Sequence, residues 1–317
     1  MVNLRQLRSR LHERIRADKR SFALYTVLRI IVIITLVRCI LLGNYESAAL
    51  CVLSLVLFLM PAFVEEQFRV EIPPLFEAII YLFIFAAEIL GEINHYYVLI
   101  PGWDTMLHAM NGFLCAVVGF SMVYIVSRHS KNLNLSPFYL AFAALCFSMT
   151  ISTLWEFVEF IGDQLFMVDM QKDYIITSIG SVALDPTNSQ TPVRITNIVQ
   201  TTITTADGAT YTIDGGYLDV GIMDTMKDLM VGFAGAVLFS IIGYSYLRVH
   251  GTTHEPRHGL LSHLVVRADD DPIVVAERKR REQEKAAAQL TRAKGAERKH
   301  AAAERAGELA GVPSRQK

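Results

Sequence analysis

Six apolar stretches govern what this chain can become: residues 22–42, 47–64, 74–95, 103–126, 137–161 and 220–247. A helix rises about 1.5 Å per residue, so each stretch is long enough for a hydrocarbon core about 30 Å thick. Lipid offers the backbone no hydrogen bonds, so a crossing segment must satisfy its own N–H and C=O groups, and unbroken apolar runs do this as helices. The expected fold is an all-α polytopic membrane protein with six transmembrane helices. Composition enters as a check: 52% of the residues are hydrophobic and they are bunched, which excludes an ordinary soluble domain. The formal net charge of −1 says little, because charge is concentrated in the tails and short connections.

Orientation follows from lysine and arginine. Arg5, Arg8, Arg10, Arg14, Arg16, Lys19 and Arg20 lead into the first run, and such a cluster stays cytoplasmic. That run is too long for a signal-peptide core and no small-residue cleavage site follows, so it reads as a retained helix. Arg69, Arg128, Lys131 and the segment from Arg248 then fall inside. Gly43-Asn44-Tyr45-Glu46, the turn at Asn94-His95-Tyr96-Tyr97, and the 164–219 connection with only Lys172 and Arg194 fall outside. Both termini are expected in the cytoplasm. The basic segment 1–21 reads as a topology signal or as a short amphipathic helix on anionic lipid.

Around the membrane domain, 22–247, lie two segments of different character. Within 164–219, Ile175–Leu184 and Val193–Thr205 are rich in Ile, Val and Thr. Asp207-Gly208 is a hairpin signal before the alternating Ala209-Thr210-Tyr211-Thr212-Ile213. This predicts a small extracytoplasmic β element between helices five and six, acting as a lid, a partner surface or a passive insert. Residues 248–317 read as a charged, Ala-rich cytoplasmic tail, with Asp269-Asp270-Asp271-Pro272 as a helix start. Beyond Ile273 the Ala, Glu, Lys and Arg pattern fits a solvated helix or a disordered tail. Protein partners would meet 164–219 or 248–317; nothing argues for nucleic acid. Cys39, Cys51, Cys115 and Cys146 all lie in apolar runs, with neither a disulfide framework nor metal-type spacing.

Charges inside the apolar runs are informative because lipid makes them costly. Helix one carries Arg29 and Arg38, and helix three Glu77, Glu88 and Glu92, with Glu77 and Glu88 on one face. Interior pairing is expected, with Arg38 and Glu88 matched in depth. Arg38 would then serve packing or neutralise an anionic ligand.

The densest pattern is split among three helix ends. Helix four holds Asp104, His108, Asn111 and Cys115 on one stripe, and helix five Ser148, Ser152, Glu156, Glu159 and Asp163. Helix six holds Asp224, Asp228, Gly232 and Gly235, the glycines permitting close approach by another helix. With Asp219, the topology places seven carboxylates and one imidazole in one layer at the outer surface. Such a set needs a divalent cation, bound protons, or partners such as Lys227 and Arg38. Trp103 and Trp155 suit an interfacial belt or ordinary packing.

Three motif groups carry a resemblance: Trp103-Asp104 with His108 and Gly112; Trp155-Glu156 with Glu159; and Asp224-Thr225 with Asp228 and Gly235-Ala236. Over roughly residues 22–247 the chain resembles the YjdF-like bacterial inner-membrane proteins. More broadly it is similar to VanZ-like proteins, which share an Asp-x-x-x-His start, a Glu at a helix end and an Asp-x-x-x-Asn-x-x-Gly helix. Gly232 stands where that last pattern has Asn. The resemblance implies a multi-pass protein of the bacterial cytoplasmic membrane. Through the glycopeptide resistance associated with VanZ-like proteins, it points towards cell-wall lipid precursors.

The leading expectation is an outer-leaflet hydrolase or transferase acting on a lipid-linked or other envelope substrate. Its candidate catalytic residues are Asp104, His108, Glu156, Glu159, Asp224 and Asp228. His108, Glu156, Glu159, Asp224 and Asp228 would ligate a divalent metal, while Asp104 orients His108. Arg38, Asp163, Asp219 and Lys227 would contact substrate. The alternatives are a proton-coupled small transporter using Arg29, Arg38, Glu77 and Glu88, and a non-catalytic envelope scaffold. No soluble-enzyme nucleotide, zinc-protease or serine-nucleophile motif is present.

Overall fold

The computed structural model describes residues 19–130, 135–250, 260–272, 274–276, 278–280, 283 and 286–287. The N-terminal basic cluster as far as residue 18, Lys131 and the tail past 287 lie outside these. Six helical spans are long and apolar enough to cross a membrane: Ala23–Leu41, Tyr45–Phe68, Pro74–Ile93, Trp103–His129, Pro137–Phe166 and Ile222–Val249. Ile34, Val56, Phe142 and Leu238 point outward from these spans, an arrangement suited to lipid rather than water.

Local chemistry sets the helix boundaries. Helix α1 (Lys19–Leu41) ends at a turn, and Asn44 caps α2 (Tyr45–Leu57) by accepting from Ser47 N at 3.0 Å. The second span breaks before α3 (Met60–Phe68), where Pro61 has no N–H to continue the ladder. α4 (Pro74–Ile84) runs into a π-helical segment, Phe85–Ile93. A short α5 (Tyr96–Leu99) then leads to α6 (Trp103–His129). α7 (Pro137–Phe166) begins at Ser136, whose Oγ accepts from Tyr139 N at 3.2 Å, with Pro137 in the first turn. α8 spans Ile222–His250.

Helices α6, α7 and α8 pack on one another as a three-helix core, and α1, α2 and α4 form a second layer around Leu28, Val32, Cys51, Phe58 and Tyr81. α6 and α8 meet backbone to backbone. A Cβ on Gly112 would collide with the Gly232 carbonyl, and one on Gly235 with the Ala109 carbonyl. α7 joins this waist through Ser148, whose Oγ donates to the Gly112 carbonyl at 2.7 Å.

The expected β element is present between the last two spans. β2 (Ile175–Ile176) and β7 (Tyr217–Leu218) pair at its base. β3 (Ser178–Ser181) pairs with β4 (Val193–Thr196), and β5 (Gln200–Thr204) with β6 (Thr210–Asp214). The last hairpin turns at Asp207-Gly208, where Gly208 takes φ +86°. Asp185 fixes the β3–β4 connection by accepting from the backbone and hydroxyls of Thr187 and Ser189, which holds its carboxyl well below the usual range.

Two expectations need revision. Arg38 is exposed at the end of α1 and makes no pair with Glu88. Near a helix end its long side chain reaches the interface at less cost than burial beside a carboxylate. Arg29 contacts Tyr25 by hydrogen bond and over its ring, while Glu77 accepts from Tyr81 OH at 2.7 Å. Part of the tail, residues 260–268, also packs into the bundle. Leu261, Leu264, Val265 and Val266 are buried in the main core, and β8 (Arg267–Ala268) pairs with β1 (Val70–Glu71). An apolar Leu-Leu-x-x-Leu-Val-Val stretch ahead of the charged run gains more by burial than in water.

The waist makes a direct prediction. Gly112→Val and Gly235→Val would push α6 and α8 apart and destabilise the bundle by about 1–3 kcal/mol or more, as overpacking against backbone requires. Thermal unfolding in detergent would show lowered midpoints for both, while Gly180→Ala, which meets nothing within 4 Å, would leave the midpoint unchanged.

Candidate functional site

One helical turn from the waist, each core helix presents a polar side chain. On α6 the step from Gly112 leads to His108, and on α8 the step from Gly232 leads to Asp228. On α7, which runs the opposite way, the step from Ser152 leads to Glu156. His108 Nε2 lies 3.4 Å from Asp104 Oδ1 and 3.8 Å from Asp228 Oδ2, and its Nδ1 lies 4.0 Å from Glu156 Oε1. One ligand atom each from Asp104, His108 and Asp228 lie within 4.8 Å of one another. The three helix ends do converge.

The charge balance is uneven. Glu156, Glu159, Asp224 and Asp228 are all buried, and Asp104 stands partly open at their edge. Lys227 Nζ lies 3.9 Å from Asp104, 3.7 Å from Asp224 and 3.9 Å from Asp228, too far for a hydrogen bond to any of them. Glu156 Oε2 and Asp228 Oδ1 are buried without a hydrogen-bond partner. A buried carboxylate oxygen without a donor is expensive, and one lysine does not neutralise five acids.

The remaining predicted residues divide by role. Glu159 Oε1 accepts from Trp155 Nε1 at 2.7 Å, so the half-exposed indole holds an acid of its own helix. Asp163 accepts from Met170 N at 2.6 Å and Gln171 N at 2.8 Å. Asp219 accepts from Tyr174 N at 2.9 Å and Met223 N at 2.7 Å, and so caps α8 as well as tying the loop. Asp224 Oδ2 accepts from Lys172 N at 3.1 Å. Asp163, Asp219 and Asp224 thus strap residues 169–174 across the cluster, and Lys227 Nζ reaches Tyr174 OH at 3.4 Å. Val220 sits at φ +54° in this junction, a left-handed conformation that a β-branched residue adopts only when its surroundings impose it. Arg38, exposed on α1, is not part of the cluster.

Sequence reasoning missed the aromatic and loop contributors. Tyr174 and Gln171 belong to the strap, and Gln171 Nε2 donates to Thr225 Oγ1. Tyr97 on α5 rests its ring against Gly91. Burial, together with the neighbouring carboxylates of Glu92, Asp104, Glu88 and Glu159, pushes its phenol well above the usual range, so it remains an O–H donor. Trp103 holds this corner, donating to the Ala86 carbonyl at 3.3 Å on the π-helical segment and packing edge-on against Tyr96. Its pairing with a π-helix in another span has no local sequence signal.

Residues 23–249 match the family model described as predicted membrane protein (DUF2238). No curated protein and no solved structure matches the chain.

The strap can be tested apart from any activity. Asp219→Ala removes the α8 cap and the Tyr174 tie, at a cost of about 0.5–2 kcal/mol for a lost cap. Hydrogen exchange at the Tyr174 and Met223 amides would accelerate, while the Ser136 cap of α7 would keep its protection.

Proposed function

With its helical domain matched throughout, this chain belongs to the DUF2238 family of predicted membrane proteins, and we propose that it is a multi-pass protein whose strap-covered cluster binds a divalent metal for hydrolysis or group transfer on an envelope substrate. One observation carries the proposal: His108 Nε2 faces Asp104 and Asp228 together, beside buried carboxylate oxygens that have no donor. The loop charges and the YjdF-like and VanZ-like motifs support the finer reading, an outer-leaflet site in the bacterial cytoplasmic membrane acting on a lipid-linked phosphate.

The spacing suits such an ion. Ligand atoms around a tetrahedral ion at about 2.0–2.1 Å stand about 3.3 Å apart, so the Asp104, His108 and Asp228 atoms, within 4.8 Å of one another, need to close by about 1.5 Å at most. The imidazole is arranged for the purpose. Glu156 Oε1 lies 4.0 Å away on the Nδ1 side, so an approach of about 1 Å would let it accept that N–H and leave the Nε2 lone pair towards the aspartates. Asp104 therefore fits better as a ligand and Glu156 as the group orienting His108, the reverse of the assignment drawn from spacing. Imidazole with carboxylates suits zinc or manganese.

A bound divalent ion supplies a Lewis acid for a phosphoryl oxygen and lowers the pKa of an attached water. The protein's own part is positional. Glu156 Oε2, which has no donor of its own, would be the base for the proton of an attacking water. Glu159 is held beside it by Trp155, and Asp224 is held away by the strap. Lys227 and the Tyr97 hydroxyl stand towards the more open Asp104 side, where an anionic leaving group would be met.

Protein purified without chelators should carry about one zinc or manganese per chain by elemental analysis. His108→Ala and Asp228→Asn should each weaken titrated metal by about tenfold or more, as loss of a ligand does. Lys227→Met should tighten it, because the lysine competes for the same carboxylates. Absence of metal from the native protein, together with no change on His108→Ala, would end the proposal.

A further inference from the structure

The end of the bundle away from the acidic cluster holds a segment that belongs to no span. Residues Leu260–His263 form a single 3-10 turn, and Arg267–Ala268 add a strand to Val70–Glu71 in antiparallel register, Val70 opposite Ala268 and Glu71 opposite Arg267. Between them Val266 N donates to Ser121 Oγ at 3.0 Å. Ser121 lies eight residues inside the His129 end of α6, about 12 Å along the helix axis. This segment therefore lies within the bundle rather than over its end.

What it covers is the inner half of the main core. Leu261, Leu264, Val265 and Val266 pack in one cluster with Ile72 and Phe76 near the start of the third span, Phe120 and Tyr124 on α6, and Leu247 on α8. Polar groups are interleaved: Ser121, Ser240 and Arg267 are also buried there. Irregular backbone at this depth survives only when its own polar groups are satisfied. Ser121 Oγ serves Val266 N, the Arg69 carbonyl serves Asp269 N at 2.9 Å, and the β1–β8 pairing serves the strand. Outside the core the segment is tied again, by His129 Nε2 to Asp270 at 3.1 Å and by Arg278 to Glu71 at 3.9 Å and Asp269 at 3.3 Å.

We propose that residues 260–272 are an intramolecular plug that closes the end of the bundle opposite the acidic cluster, leaving that cluster open to one face of the membrane only. The plug and the Gly112–Gly232 waist are successive barriers along the bundle, formed by different parts of the chain. The proposal stands whether or not the cluster binds metal.

Thiol labelling tests it on the full-length chain. In a background with the four native cysteines replaced by alanine, Ser121→Cys is treated with a water-soluble maleimide in membranes open to the reagent on the C-terminal side. Labelling should be slow in the intact chain. It should rise by about tenfold or more after deletion of 260–317, and in the Val265→Ser/Val266→Ser variant, because labelling follows the population of the open form. A second measurement does not depend on a destabilised protein. Val70→Cys with Ala268→Cys, directly opposed across the strand pair, should cross-link in membranes under mild oxidation. If the deletion no longer elutes as a folded species, the paired-serine variant and the cross-link decide. Equal labelling of the intact chain and the paired-serine variant, or failure of the opposed cysteines to cross-link, would overturn the plug.

Discussion

The contact between α6 and α8 at Gly112, Gly232 and Gly235 fixes the positions of the groups around it. Lipid surrounds the helices on the outside and gives them no hydrophobic reason to associate, so close backbone packing and interhelical hydrogen bonds must do the work. Glycine removes the side chain at the crossing, and the Ser148 bond to the Gly112 carbonyl brings α7 to the same level. Once three rods touch at one height, whatever lies one turn further along each must converge. His108, Asp228 and Glu156 are in contact because 108, 228 and 156 are each four residues from the waist positions 112, 232 and 152.

Electrostatics then decides what covers the cluster. Several buried acids drawn together by packing repel one another, and the protein lowers that cost in two ways. Lys227 is placed among Asp104, Asp224 and Asp228, and backbone N–H groups of residues 170–174 are brought down onto Asp163, Asp219 and Asp224. Backbone donors neutralise no charge but stabilise a carboxylate without a mobile side chain. Acids held in this way have donors that the loop supplies. Those left over, Asp228 and Glu156, retain oxygens with no donor, and they flank the imidazole. The division between acids tied by the loop and acids left without a donor is therefore physical, set by which carboxylates the loop can reach.

Much of this was legible in the residues. Apolar runs gave six spans because lipid leaves a chain no other option, and Asp207-Gly208 marked its hairpin because a left-handed glycine is needed there. The stripes on α6, α7 and α8 followed from helical periodicity, and topology put them at one level. Periodicity says nothing about reach across space, however, and the misses lie there. The backbone donors that a neighbouring loop places on Asp163 and Asp219 have no signal in the spacing. The Arg38–Glu88 pairing assumed that a charge in an apolar run turns inward, which a residue in the last turn of a helix need not do. Tyr97 gave no signal, because its place depends on a π-helical turn in the preceding span and on Trp103 reaching the Ala86 carbonyl. The folded part of the tail was hidden by the Ala, Glu, Lys and Arg composition of the longer charged run beyond Ile273.

Exposure around the cluster sets the direction from which a ligand arrives. Side-chain exposure falls from 37% at Lys227 and 27% at Asp104 to 12% at His108, then to 5% at Glu156 and 1% at Asp228. The gradient starts at the ends of α6 and α8, beside the tyrosines of α5 and the strap, and stops at the glycine waist, where no side-chain-sized space remains between the helices. Residues at the shallow end are therefore those a headgroup at the membrane–water boundary would meet first. Those at the deep end are the ones from which water is most fully excluded, where fixed charges act most strongly on a reacting group. The shallow end thus pairs one lysine with one aspartate, and the deep end holds acids without a matching cation among the described residues. The arrangement is poorly suited to passage, since its floor is formed by two backbones in contact.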